Sequence, residues 1–192
     1  CIEGFFGYAR KEGDEEARLN LDKPQGANGG DSSMVLAFLR GLVKADRLVT
    51  DLLLINCGLH DIKHHPTTGE IQVSLAQYEA NLRELIALTK TLPSQLIWIR
   101  TTPLDENKHN RLCKFFHRFS GDWEVYNATA DRVMTEAAVP LADLCTFTRN
   151  LGPDLFCDHI HFHEHIRKQQ GAFLAGWLDA WRQREKATSN GK

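Results

Sequence analysis

No stretch of the chain is apolar for long enough to cross a membrane; the run Leu52–Ile55 is the length of a strand. No sign of charge dominates either. Lys and Arg number 23 against 25 Asp and Glu, for a net charge of −2, and the basic residues are spread out. That argues against a nucleic-acid partner. The five cysteines (Cys1, Cys57, Cys113, Cys145, Cys157) are odd in number and irregular in spacing, with no CxxC pair. A disulfide scaffold and a zinc ribbon are thereby disfavoured; a reducing compartment fits, with room left for one disulfide. Internal repeats and low-complexity segments are missing as well. What remains is 192 residues, 42% hydrophobic and 25% charged, enough for one domain with a full core.

Along the chain, short apolar runs alternate with segments of helical period. Residues 4–9 predict a strand and 10–31 a long loop rich in charge, Gly and Asn. Asp31 or Ser32 predicts the cap of a helix running to about Ala45. Asp51–Asn56 reads as a buried strand, and 74–92 as a helix through Tyr78, Leu82, Leu85 and Ile86. Gln95–Arg100 reads as a second strand, 107–119 as a helix, Trp123–Tyr126 as a short strand, and Ala128–Ala138 as a helix. Leu141–Leu144 reads as a short extended piece and 163–184 as a final helix, with Ala187–Lys192 as a frayed tail. Such alternation predicts an α/β fold: a three-layer αβα sandwich around a parallel sheet, residues 1–186 forming a single domain. In such sheets reactive groups lie on loops beyond the carboxyl ends of the strands.

Three loops carry polar groups at those places. Asp158-His159-Ile160-His161 sets a carboxylate three residues ahead of an imidazole. That spacing suits an acid that orients a general base. Gly58-Leu59-His60-Asp61 follows the first buried strand. Asn28-Gly29-Gly30-Asp31-Ser32 opens a helix, where backbone N–H groups can bind an oxyanion.

In this order and spacing the three stretches resemble the SGNH (GDSL-type) hydrolase family of serine esterases and acylhydrolases. Asp158 and His161 match its DxxH block, Gly58–Asp61 its GxND block, and Gly30 the glycine of its second block. The Tyr78–Asn81–Leu82 helix and the Trp98 strand leading into Thr101-Thr102-Pro103 also look like a bacterial branch of the family. The resemblance implies a Ser-His-Asp esterase acting on a short-chain ester, such as an acetyl group on a carbohydrate. It implies His161 as the base, Asp158 as its acid, and Gly30 and His60 as oxyanion donors. It implies no metal, no cofactor and no membrane partner.

The sequence departs from the family at two positions. His60 stands where the family has an oxyanion-binding Asn; an imidazole N–H can fill that role. The block carrying the nucleophilic serine is missing. Gly30-Asp31-Ser32 spells GDS, but residues 20–29 are not an apolar strand. The interval from Ser32 to Gly58 is also too short for the elements that should intervene. The serine is therefore expected upstream of residue 1, on a first strand absent from this chain, which the non-Met start fits. By itself the chain is expected to be inactive. Three other readings stay open: a catalytically inactive SGNH-like binding module, a histidine-triad-like nucleotide hydrolase using His159, His161 and His163, and a metal site on these histidines or on His64 and His65.

Overall fold

The structure is a computed structural model and describes residues 30–190, Val49 excepted. The expected strand at 4–9 and the loop before Gly30 lie outside those residues. Helix α1 (Ser32–Lys44) starts where the Asp31 side chain accepts the N–H of Met34, and it ends before Asp46, which adopts a positive φ. Strand β1 (Leu52–Ile55), helix α2 (Leu75–Thr89) and strand β2 (Gln95–Ile99) follow. Next come α3 (Glu106–Leu112), α4 (Ser120–Glu136), the two-residue strand β3 (Leu141–Ala142), α5 (Leu144–Arg149) and α6 (Glu164–Asn190).

The three strands form one parallel sheet in the order β1-β2-β3, with Leu52 opposite Gln95 and Trp98 opposite Leu141. Strand periodicity of two sorts their side chains between two cores. Leu53, Ile55, Leu96 and Trp98 face a core built with Leu36 and Leu39 of α1, Tyr78, Leu82 and Leu85 of α2, and Ala130 and Val133 of α4. Leu54, Ile99 and Ala142 face the opposite core, with Leu144 and Phe147 of α5 and Leu174 and Trp177 of α6. Helices thus cover both faces of the sheet, and the architecture is the expected αβα sandwich. Among the described residues β1 is paired along one edge only.

Four local expectations are corrected. Trp123–Tyr126 is not a strand but the start of α4. Trp123, Tyr126, Asn127, Ala130, Val133 and Met134 recur at helical spacing and are all buried, while Val125 is exposed. The helix expected over 107–119 ends at Leu112, because the following segment is held as an irregular arm. The Asn110 side chain grips Arg118 at both backbone groups, at 2.8 and 2.9 Å. Leu144 starts a helix rather than ending an extended piece, since Asp143 caps it by accepting the N–H of Thr146. Finally, Ala187–Asn190 continue α6 instead of fraying.

Candidate active site

At the end of β1 the chain must turn sharply under other side chains. The carbonyl of Cys57 accepts both the Tyr78 hydroxyl at 3.0 Å and the Thr101 hydroxyl at 3.1 Å. Gly58 follows with φ +145°, and a Cβ there would lie 3.1 Å from Thr101 Oγ1. Only glycine meets both demands at low cost. The Gly58 carbonyl then accepts the N–H groups of Asp61 and Ile62, closing a turn that carries His60, half-buried, on its rim. Asp61 points inward and is fully buried.

Asp61 joins this turn to the start of α1. Its carboxylate oxygens accept the Ser32 N–H at 2.9 and 3.1 Å. Asn81 of α2 donates to the Ser32 and Ser33 hydroxyls at 2.8 and 2.9 Å. The clamp sets Gly30, with φ +86°, just ahead of the helix cap. Ser32 is itself buried and its hydroxyl is committed to this network, which is poor placement for a nucleophile. Burial pushes the Asp61 carboxyl up to about 7; the Ser32 hydrogen bonds pull against it without winning.

Asp158 and His161 meet in a tight turn. Asp158 Oδ1 accepts the N–H groups of Ile160 and His161, both at 2.7 Å, and Oδ2 lies 2.6 Å from His161 Nδ1. The carboxylate assigns the proton to Nδ1 and leaves Nε2 as an acceptor, the tautomer a general base needs. Partial burial raises the Asp158 carboxyl, but the N–H groups and ring of His161 outweigh it and hold it at about 2. Below the turn, Cys157 donates its N–H to the His161 carbonyl at 2.9 Å, and the rings of Phe156 and Phe162 stack. His161 is half-exposed.

The alternating histidines do not converge. His159 Nδ1 lies 2.9 Å from His109 Nδ1, His163 Nε2 lies 3.4 Å from Asp154, and His165 stacks on His163. His64 pairs with Asp122, and the His65 ring accepts N–H groups of its own turn. Among the described residues no group of three His, Cys, Asp or Glu side chains is placed to hold a metal ion. The four described cysteines are free thiols.

Two groupings therefore emerge from the expected residues: Gly30 with the His60–Asp61 turn, and Asp158 with His161. The arm 113–119 spans from one to the other, and neither His109 nor Arg118 was expected. Arg118 Nε donates to the Leu59 carbonyl at 2.6 Å and its guanidinium covers the Phe116 ring at 4.7 Å. Phe116 packs on His109, which meets His159. His109 lies on a short polar helix whose seven residues offer no apolar period that could have singled it out. Beside the His161 loop lies an open cleft of about 520 Å³, lined in part by Leu104, Asp105, Glu106, Ser120, Arg149 and Phe156.

The described residues thus form an αβα sandwich with a carboxylate-oriented histidine on a loop outside its sheet. No protein-family model matches the sequence, and no curated protein matches it. Solved structures do. A GDSL-like lipase from Bacteroides thetaiotaomicron superposes with a TM-score of 0.63 at 17% identity, over 81% of this chain and 74% of that one. The lipase/acylhydrolase from Enterococcus faecalis gives 0.60 at 17%, over 79% and 72%. An acetylxylan esterase from Geobacillus stearothermophilus gives 0.59 at 22%, over 78% and 68%. The chain has the fold of the GDSL-like lipases and acylhydrolases.

Proposed function

We propose that the protein is a serine esterase that cleaves a short-chain ester, an acetyl group on a carbohydrate being the substrate that fits best. The observation that carries this reading is the 2.6 Å contact between Asp158 and His161 Nδ1, with two further N–H groups fixing the same carboxylate. A carboxylate held at about 2 stays charged at every pH where an esterase works, so it can stabilise the imidazolium formed during catalysis. The nucleophile belongs to a serine-bearing strand beyond the described residues, and the second edge of β1 is the place such a strand would pair.

In this mechanism the serine oxygen attacks the ester carbonyl while His161 Nε2 takes its proton. The oxyanion is held by the Gly30 N–H and the His60 ring. His161 returns the proton to the departing alcohol, leaving an acyl-serine. Water then attacks the acyl-serine, His161 again taking and returning the proton, and the carboxylic acid leaves. No step calls for a metal. The 520 Å³ cleft receives the alcohol part. Its wall alternates carboxylates, a guanidinium, an amide and a hydroxyl with Leu, Pro and Phe surfaces, a mixture suited to a neutral polyol. The acetylxylan esterases among the similar structures support the same substrate class.

The test is hydrolysis of 4-nitrophenyl acetate and acetylated xylo-oligosaccharides by the full-length protein, together with labelling by a fluorophosphonate. His161→Ala should abolish turnover, and the probe should label a serine other than Ser32. Turnover unchanged in His161→Ala refutes the mechanism. A full-length protein with no labelled serine and no turnover supports instead a binding module on a hydrolase frame.

A further inference from the structure

We infer that His109 is a positioning residue: through its ring-to-ring bond with His159 it holds the Asp158–His161 turn in its active geometry and ties it to the loop carrying His60. His109 lies in α3 and is fully buried, with its Nδ1 2.9 Å from Nδ1 of His159. A hydrogen bond between two such nitrogens forms only when one ring donates and the other accepts. Placing an imidazole in a buried site costs free energy that a Phe or Leu of similar size would not. The ring therefore favours a polar partner at Nδ1, and the partner there is His159, while Nε2 is buried without one.

His159 sits inside the turn it would control. It follows Asp158 directly and precedes Ile160, whose N–H is one of the two that fix Asp158 Oδ1. A shift of the His159 backbone displaces that N–H, and with it the carboxylate that sets the His161 tautomer. The other end of the tie is equally firm. Phe116 packs on His109 with ring centroids 5.4 Å apart, Arg118 covers Phe116, and Arg118 Nε donates to the carbonyl of Leu59, next to His60. Helix α3 is itself anchored, since Asp105 caps it and Glu106 accepts the N–H of Ser120. Burial, with Arg118 next and then His159 and His117, holds the His109 imidazole down to about 4, so it stays neutral under ordinary conditions. A neutral His109 can exchange a hydrogen bond with His159 whether or not the more exposed ring is charged.

The inference rests on the esterase reading only in calling His161 the base; the tie itself is measurable without substrate. His159→Phe keeps a ring in the half-buried position but removes both nitrogens. It should leave the melting temperature within a few degrees while raising amide exchange at Ile160 and His161 about tenfold. It should also broaden or shift the His161 Nδ1–H proton resonance. His109→Phe should do the same, and His109→Gln, which restores a polar atom, should recover part of the protection. In the full-length enzyme His159→Phe should lower kcat about tenfold or more with KM within twofold. Unchanged Ile160 and His161 exchange together with an unchanged Nδ1–H signal in His159→Phe would overturn the proposal, whatever the fate of the His109 variants. Activity surviving in His161→Ala would instead remove the esterase reading and leave the tie standing.

Discussion

Replacing Asp61 with asparagine changes one atom in a buried clamp and removes one titration. The folded-state value of the Asp61 carboxyl is about 7, against an ordinary value of 3.8. Between those limits the folded protein holds a proton that the unfolded chain releases. Stability from this group is therefore fully present in acid and is lost as pH rises through 7. At about 1.4 kcal/mol per pH unit, the loss amounts to about 4 kcal/mol. His109 works the other way. Its folded value is about 4 against 6.5, so its contribution is full above 6.5 and falls as pH drops to 4, by about 3 kcal/mol. The two slopes oppose each other between pH 4 and 6.5, and these groups together should leave the native protein nearly level there. Asp61→Asn keeps an oxygen for the Ser32 N–H but carries no charge at any pH. Urea unfolding followed by tryptophan fluorescence at pH 4.5, 5.5, 6.5 and 8 measures the difference between the two proteins, in which His109 cancels. Asp61→Asn should gain about 3 kcal/mol relative to the native protein between pH 4.5 and 8, and alone should lose stability on acidification. A difference that does not vary with pH would refute the argument. That flat result would mean that the Ser32 donors offset or outweigh burial, leaving the carboxyl to titrate below this range.

Other consequences can be checked in the same way. Tyr78→Phe should cost less than about 1 kcal/mol, because Thr101 still donates to the Cys57 carbonyl. Tyr78→Phe with Thr101→Val should cost more than the sum of the single changes, since that carbonyl is then buried without a donor; urea midpoints decide. Gly30→Ala should destabilise by roughly 1–3 kcal/mol, because φ is +86° and the new methyl meets the Met34 side chain. Adding Met34→Ala should recover the steric part and not the rest. Arg149→Ala should raise KM for an acetylated oligosaccharide several-fold while leaving 4-nitrophenyl acetate turnover unchanged, because Arg149 lines the cleft and is exposed.

The parts of the molecule visible in the sequence are those written in short stretches. β1 and β2 are compact apolar runs, and the buried face of α2 repeats at helical spacing from Tyr78 to Thr89. Asp158 and His161 lie three residues apart and complete their contact within one turn. The errors also have local causes. Trp-Glu-Val-Tyr at 123–126 has the residue types of a strand, and only a window reaching Met134 reveals its helical period. α5 has six residues, too few for a period, and only the Asp143 cap announces it. The bonds that assemble the site span far larger intervals. Ser32 meets Asp61 across 29 residues, Asn81 meets Ser32 across 49, and His109 meets His159 across 50. No spacing within a segment encodes such meetings, because both partners read singly as ordinary polar residues.

The clamp of Ser32, Asp61 and Asn81 sets a rule for exchanging parts between this chain and others of its fold. A loop carrying an apolar residue at 61 would arrive without a side-chain acceptor for the Ser32 N–H, and a helix start lacking the Ser32 hydroxyl would leave Asn81 only Ser33 to bond. The smallest piece that can be transplanted with its geometry intact is therefore neither loop alone. It is the start of α1, the turn after β1 and one face of α2, moved together.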